Sequence, residues 1–159
     1  MPNRKIKLVV LAAILSCFLF GSALPISAQE FGAGGKLVGT SPYIFSEAKV
    51  WIFAAELAVG LDNSNPYSGE HREGSLLFSV AGKVYPLEVM GLSPYLGFAN
   101  QFSDQGYERS RAFGGLEFEI PIGFLPLSAF AGGDFVSTAE GGFEGWLSHV
   151  GIKYRFSFL

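Results

Sequence analysis

Few residues in this chain have the side chains needed for acid–base or nucleophilic chemistry. Histidine occurs twice, as His71 and His149. His71 lies between Glu70 and Arg72 in a polar stretch, which is typical of a solvated loop. His149 follows Ser148, but neighbouring side chains of a strand point to opposite faces, so the two do not form a nucleophile–base pair there. We therefore predict that the chain is not an enzyme.

Other patterns that could serve catalysis or cofactor binding are also weak. Glu117 and Glu119 share one face of a predicted strand about 6–7 Å apart, a spacing that paired carboxylates can use. The glycines at 32–35 open no helix and lack a following Gly-Lys-Ser/Thr, which argues against a phosphate loop. The single cysteine excludes an internal disulfide and a cysteine-based zinc site. We expect no metal and no cofactor.

The net charge of −3, from 11 basic and 14 acidic residues, gives no basic footprint for nucleic acid. Only 16% of the residues are charged, whereas 15% are aromatic and 21 are glycine. This composition argues against both disorder and a helical bundle.

Residues 1–28 have the pattern of a cleaved secretory signal peptide. Basic residues come first, an apolar run spans 8–20, and small residues end at Ala28, after which we expect cleavage. The run is shorter than the roughly 20 residues of a spanning helix, which disfavours the alternative of a membrane anchor. A lipoprotein site at Cys17 is the other alternative, and the apolar run that continues past this residue disfavours it. Residues 29–159 then form the mature domain.

The mature chain alternates apolar and polar residues with period two, which predicts strands. Polar stretches at 62–73, 103–110 and 137–145 alternate along the chain with proline-bounded turns at 86–94 and 121–126. Long loops on one rim and tight turns on the other are typical of outer-membrane barrels. We predict an all-β, eight-stranded antiparallel up-and-down transmembrane β-barrel with strands at 30–39, 43–53, 54–62, 74–85, 94–103, 111–121, 126–136 and 146–158.

The turn near residues 53–55 is the least supported part of this strand count, because it contains no Gly, Pro or Asn. A continuous strand over 49–61 is the alternative. It would leave seven strands and an unpaired edge.

Charged residues share one face of each predicted strand, and that face is expected to line the lumen. An eight-stranded barrel is just wide enough for side chains to fill it, and buried charges must be paired. Strands next to 111–121 offer Glu117 and Glu119 no cation, so their partners must reach across the lumen. The predicted lumen charge network has four cations and four anions: Lys49, Lys83, Lys153, Arg155, Glu56, Glu117, Glu119 and Asp134.

The opposite, apolar face is predicted to contact lipid, between two aromatic girdles. Its members include Leu76, Phe78, Val80, Leu116, Phe118, Ile120, Val150, Ile152 and Tyr154. The outer girdle is expected to contain Phe102, Tyr107, Phe135, Phe143 and Trp146. The inner girdle is expected to contain Phe31, Phe53, Tyr85, Tyr95, Phe124 and Phe156.

The ending Gly151-Ile-Lys-Tyr154-Arg-Phe156-Ser-Phe158 looks like the C-terminal signal read by the barrel-assembly machinery, although the chain stops at Leu159 rather than at an aromatic residue. With the opening Phe31-Gly-Ala-Gly-Gly-Lys-Leu, it resembles the small eight-stranded outer-membrane barrels of the OmpX and OmpA-barrel type. The resemblance implies the outer membrane of a diderm bacterium. It also implies contact with outer-membrane lipid and assembly through Gly151, Tyr154, Phe156 and Phe158.

Members of that superfamily include adhesion and defence proteins, anchors and lipid A-modifying enzymes. We predict a structural or surface-interaction role through the extracellular loops, with a partner that the sequence does not identify and a lumen plugged by charged side chains. Three alternatives stay open: a soluble exported barrel that binds a small apolar ligand, a narrow channel, and a lipid A-modifying barrel enzyme.

Overall fold

A computed structural model describes residues 29–61, 77–103, 106–122, 125–138 and 142–157. The predicted signal peptide, His71, Leu76, Phe124 and Phe158 lie outside these ranges. The described residues form eight strands: β1 (Gln29–Val38), β2 (Ser41–Val50), β3 (Phe53–Gly60), β4 (Phe78–Val84), β5 (Leu92–Ser103), β6 (Gly106–Ile122), β7 (Leu125–Thr138) and β8 (Phe143–Ser157). Within the described ranges, no helix has the length and apolar character needed to cross a membrane.

The strands close into a barrel in which each strand pairs antiparallel with the next and β8 pairs with β1. Around the closed barrel the strands are staggered by ten residues. Directly paired residues lead from Gly32 of β1, strand by strand, to Gly145 of β8. In the β8–β1 register, position 145 lies opposite position 42, which is ten positions beyond Gly32. With about 3.3 Å per residue and about 4.8 Å between strands, this stagger tilts the strands by about 40° from the axis. The predicted eight-stranded antiparallel order is confirmed.

The turn between β2 and β3 lies two residues earlier than the sequence predicted. Val50 pairs with Phe53, so Trp51 and Ile52 form the turn, and Trp51 adopts a left-handed backbone with φ 56°. The prediction of a turn at 53–55 was therefore wrong in position, and the continuous strand over 49–61 is excluded. Local turn chemistry could not place it, because a tryptophan occupies a position that usually holds glycine.

Two of the predicted polar loops are largely strand. β5 continues to Ser103 and β6 begins at Gly106, while β7 reaches Thr138 and β8 begins at Phe143. The sequence misled here because ladder hydrogen bonds join backbone groups, whatever the polarity of the side chains. The connection between β3 and β4 lies at the same end of the barrel as these two loops. It spans 61–77, and residues 62–76 are outside the described residues.

Faces alternate as the period-two pattern predicted. Outward apolar side chains of β4, β6 and β8 are mostly exposed, whereas charged side chains on the other face are largely buried, with Glu119 at the inner mouth as an exposed exception. We call the rim that holds the start of β1 and the end of β8 the inner rim, and the opposite one the outer rim. Near the outer rim, Phe135 stacks on Phe143 at 4.6 Å and packs against Trp146, and Phe78 stacks on Phe102 at 5.2 Å.

The predicted inner girdle needs a correction. Tyr85 and Tyr95 are buried inside the barrel rather than facing outward. Tyr85 lies two residues from Lys83 and Tyr95 two residues from Ser93, so each shares the lumen-facing side of its strand with a buried polar residue. Each hydroxyl has a polar partner inside the barrel. An aromatic residue near a strand end fits a girdle or a lumen equally well by composition, and here the polar hydroxyl favours the lumen.

Candidate functional site: the charged lumen

Six alternating charges cross the middle of the barrel and form what we call the central charge chain. Lys36 pairs with Glu56, which also lies 2.6 Å from Lys83. Lys83 and Lys153 each lie 2.5 Å from Glu47, and Lys153 also lies 2.8 Å from Glu117. The order is thus Lys36, Glu56, Lys83, Glu47, Lys153 and Glu117. Three lysines balance three glutamates, so the chain has no net charge.

The members of the central charge chain come from β1, β3, β4, β2, β8 and β6, and so from strands that are not all neighbours. The closed fold is what brings them together, since Glu47 and Lys153 are 106 positions apart in sequence. Their side chains span the interior from opposite walls. This is possible because the lumen of an eight-stranded barrel is about as wide as two such side chains are long.

Hydroxyl groups and aromatic rings complete the surroundings of these charges. The Tyr85 hydroxyl lies 3.2 Å from Glu47 and 3.1 Å from Glu117, and Ser128 donates to Glu117 at 2.9 Å. The Lys83 ammonium is 5.6–5.7 Å from the centroids of three rings, those of Phe45, Tyr95 and Phe130. Such contacts offset part of the desolvation cost of buried charge.

A second cluster, which we call the His149 cluster, lies on the outer-rim side of the central charge chain. Asp134 accepts from Arg111 at 2.8 Å and from His149 Nδ1 at 2.7 Å. A carboxylate only accepts, so Nδ1 carries the proton in this contact, and Nε2 shares a hydrogen bond with the Tyr95 hydroxyl. Arg111 also donates to Ser79 at 3.2 Å.

The order Asp134, His149 and Tyr95 resembles the arrangement that activates a nucleophile. Tyr95 is only 3% exposed, however. The adjoining cavity has a volume of about 10 Å³ and is lined by both clusters, including Glu56 and Lys36. That volume holds about one water molecule, so the geometry serves hydrogen bonding inside the barrel and leaves no room for an organic substrate there.

Smaller ion pairs lie at the two mouths. At the inner rim, Lys49 lies 3.5 Å from Glu30 and 4.0 Å from Glu88, and Arg155 pairs with Glu119. At the outer rim, Arg109 lies 3.0 Å from Glu144. Of the predicted network, Glu56, Lys83, Glu117 and Lys153 therefore lie in the central charge chain and Asp134 in the His149 cluster. Lys49, Glu119 and Arg155 lie at the inner mouth.

Sequence reasoning missed four lumen charges: Lys36, Glu47, Arg109 and Arg111. Lys36 follows a glycine-rich segment that shows no apolar alternation, whereas Glu47 lies inside the predicted strand 43–53 and was not counted with Lys49. Arg109 lies in the stretch that was interpreted as a loop. The alternation of side chains along a strand was the signal that could have identified two of them, since Glu47 shares its face with Lys49 and Arg111 shares its face with Glu117.

The three proposed assembly residues that the structure describes occupy two settings. Gly151 faces the lumen, where a Cβ would collide with the Phe130 ring. Tyr154 and Phe156 are exposed on the outward face, and Phe156 stacks on Phe31 at 6.0 Å. Phe158 lies outside the described residues. Nowhere in the described ranges do three or more His, Cys, Asp or Glu residues converge as metal ligands.

No protein-family model and no curated protein matches this chain. Among solved structures, it is similar to a chain from the de novo design of transmembrane β-barrels, with a TM-score of 0.54 and 12% identity over 84% of this chain and 98% of that one. It also matches the solution NMR structure of the de novo designed TMB2.3, with a TM-score of 0.49 and 9% identity over 82% of this chain and 95% of that one. The first likeness shows a transmembrane-type β-barrel fold.

Proposed function

We propose that this protein is an outer-membrane β-barrel of a diderm bacterium that does not conduct ions. It has a structural or surface-interaction role through its extracellular loops. The observation that carries the proposal is the central charge chain, which fills the lumen with paired charges while the outward face stays apolar. The barrel is exported by residues 1–28 and inserted by the barrel-assembly machinery, and its two termini lie on the periplasmic side.

The distribution of charge supports a membrane barrel over a soluble one that binds an apolar ligand. A soluble barrel of that kind is apolar inside and polar outside. Here the interior holds Glu47, Glu56, Lys83 and Lys153, and large apolar side chains such as Ile152 are exposed outside. Lipid is the environment that makes such an outer face favourable.

The lumen contacts support a closed barrel over a narrow channel. A permeating ion would have to separate pairs such as Glu47–Lys83, whose atoms lie 2.5 Å apart and whose side chains are buried. Leaving one such charge without its partner costs about 3–5 kcal/mol. Ions entering the lumen therefore meet a free-energy barrier that is made by the protein's own paired charges.

The position of the His149 cluster supports a protein without enzymatic activity. An enzyme that modifies membrane lipid needs its reactive groups where an acyl chain or headgroup can reach them. The Tyr95 hydroxyl and His149 are buried inside the barrel instead. The proposed role is therefore one of binding and structure, with outer-membrane lipid as the surrounding partner.

Planar-bilayer recording of the protein purified from membranes tests the proposal. We expect no steady single-channel currents, while slower gel mobility after boiling reports that the barrel was folded. The matched variant is the double substitution Glu47→Ala/Lys83→Ala, which removes the Glu47–Lys83 pair with its contacts to Lys153 and Glu56 and leaves Lys36–Glu56 and Lys153–Glu117 intact. It should conduct, because the middle of the lumen loses two long side chains. Steady currents from the unsubstituted protein would overturn the closed barrel and favour the channel.

A further inference from the structure

Two turns on the inner rim place large apolar residues in a strained backbone. Trp51, in the turn between β2 and β3, has φ 56°, and Met90, in the turn before β5, has φ 53°. They are the two non-glycine residues with positive φ in the described part of the chain. The left-handed conformation is unfavourable for an L-residue, and such turns normally hold Gly, Asn or Asp.

These residues also expose their side chains at the ends of the barrel. Trp51 is 73% exposed and Met90 is 99% exposed. Phe53, Leu87 and Val89 flank them and are exposed as well. We call these five residues the inner-rim apolar tips. Exposure of this much apolar surface is unfavourable in water, where it adds to the cost of the strained backbone.

The charged side chains of this rim pair with one another at the barrel mouth. Glu88 lies between Leu87 and Val89, and its carboxylate is 4.0 Å from Lys49. Lys49 in turn lies 3.5 Å from Glu30 and 4.8 Å from the centroid of the Tyr85 ring. The connection before β5 thus carries one charged side chain between two apolar tips, and that carboxylate faces a lysine of the barrel mouth.

The inner-rim apolar tips continue the outward apolar face of the strands. Phe53 pairs with Val84 across β3 and β4. Val89 forms a bridge with Leu92, which pairs with Phe118 of β6. Among the described residues of this rim, no ring of charged side chains separates the tips from the face that the proposed function assigns to lipid.

We propose that the inner-rim apolar tips lie in phospholipid, at the boundary between headgroups and acyl chains, and form the interfacial anchor of the inner rim. The inference rests on the proposed function. It assigns to the inner-rim apolar tips the place in the inner girdle that the sequence predicted for Tyr85 and Tyr95, whose side chains lie in the lumen. Tryptophan is favoured at this boundary because its ring is apolar and its N–H can reach polar groups. Contact with lipid would offset the cost of left-handed backbone at Trp51 and Met90.

Tryptophan fluorescence tests this placement, because the chain has only Trp51 and Trp146. The full chain with Trp146→Phe, purified from membranes and reconstituted into phosphatidylcholine vesicles, reports on Trp51 alone. Acyl chains brominated close to the headgroup should quench its emission severalfold more than aqueous iodide does. Chains brominated near the terminal methyl should quench it less. The matched variant Trp51→Phe reports on Trp146 of the outer girdle.

The two variants separate failure of the inference from failure of the proposed function. If bromolipid quenches Trp146 while iodide fully quenches Trp51, the barrel is in the membrane but its inner tips are in water, which overturns the inference. If iodide fully quenches both tryptophans, the barrel is not in lipid and the proposed function fails as well. A second measurement uses Trp51→Asn/Met90→Asn, in which asparagine tolerates positive φ. We expect severalfold slower insertion into vesicles with a thermal stability in detergent no lower than that of the unsubstituted protein, and unchanged insertion would also contradict the inference.

Discussion

Glu117 and Glu119 offer a matched test of the lumen charges. They lie two residues apart on the same face of β6, but the side chain of Glu117 is 7% exposed and that of Glu119 is 48% exposed. Glu117 contacts Lys153, Tyr85 and Ser128. Glu119 pairs with Arg155 at the inner mouth. Substitution of each by glutamine keeps the size of the side chain and removes one negative charge.

The two substitutions should differ in cost because burial differs. Glu117→Gln leaves the central charge chain with three lysines and two glutamates, and the new amide NH₂ cannot accept from Lys153 or Tyr85. Breaking a buried pair costs about 3–5 kcal/mol, and since Lys153 keeps Glu47 at 2.5 Å we expect the lower end, about 3 kcal/mol. Glu119→Gln removes an exposed pair worth about 0–1 kcal/mol.

Urea titration in lipid vesicles measures the difference, with gel mobility of unboiled samples and tryptophan emission as two probes of folding. A gap of about 2 kcal/mol corresponds to about 30-fold in the unfolding equilibrium constant. The double variant Glu117→Gln/Lys153→Met restores neutrality, because Lys36, Glu56, Lys83 and Glu47 remain, and should recover part of the loss. Equal losses for Glu117→Gln and Glu119→Gln would show that water screens the lumen and refute the closed, dry interior.

Three further predictions concern the outer face, the packing of glycine and assembly. Ile152→Arg should cost about 2–4 kcal/mol in vesicle refolding, because it places charge at mid-membrane depth, while arginine at the exposed turn residue Thr40 should cost little; equal tolerance would mean that the faces are inverted. Gly97→Ala should cost about 1–3 kcal/mol by overpacking, since its Cβ would meet the Phe113 ring and lie 2.7 Å from the Gly82 carbonyl oxygen. In contrast, Gly82→Ala meets nothing within 4 Å and should be neutral in the same denaturation assay. Deletion of residues 155–159 should abolish outer-membrane accumulation in cell fractionation, and normal levels of the truncated chain would contradict a C-terminal assembly signal.

The strands and their faces were predictable because side-chain alternation is a local property of extended backbone. In β4, β6 and β8, apolar and polar residues alternate over part of each strand, as in Leu116–Ile120 and Val150–Phe156, so both the strand and its lumen face followed from the sequence. β1 carries Gly32, Gly34 and Gly35, and because glycine has no side chain, the sequence does not show which face of this strand is apolar. Lys36 was therefore missed although its side chain is buried beside Glu56.

The partners of the lumen charges were less predictable than the faces, because pairing depends on the stagger of the closed barrel. The sequence indicated that Glu117 needs a cation from across the lumen, and Lys153 is that cation in the structure. It could not identify Glu47 as the residue that joins Lys83 to Lys153, since these three lie on β2, β4 and β8. The turn at Trp51 was also beyond local reasoning, because its backbone contradicts the usual preference for glycine.

The acidic residues of β2 and β3 have a consequence that the folded barrel alone does not show. Residues 41–61 form one hairpin and contain three charged side chains, Glu47, Lys49 and Glu56. Without them this segment would be an apolar stretch of about the 20 residues that make a spanning helix. Inside the barrel the same glutamates hold Lys36, Lys83 and Lys153. Under the proposed function, the same residues satisfy two requirements: paired charges fill a narrow barrel, and the charged side chains make this hairpin too polar to stop as a helix in the first membrane that the exported chain would meet.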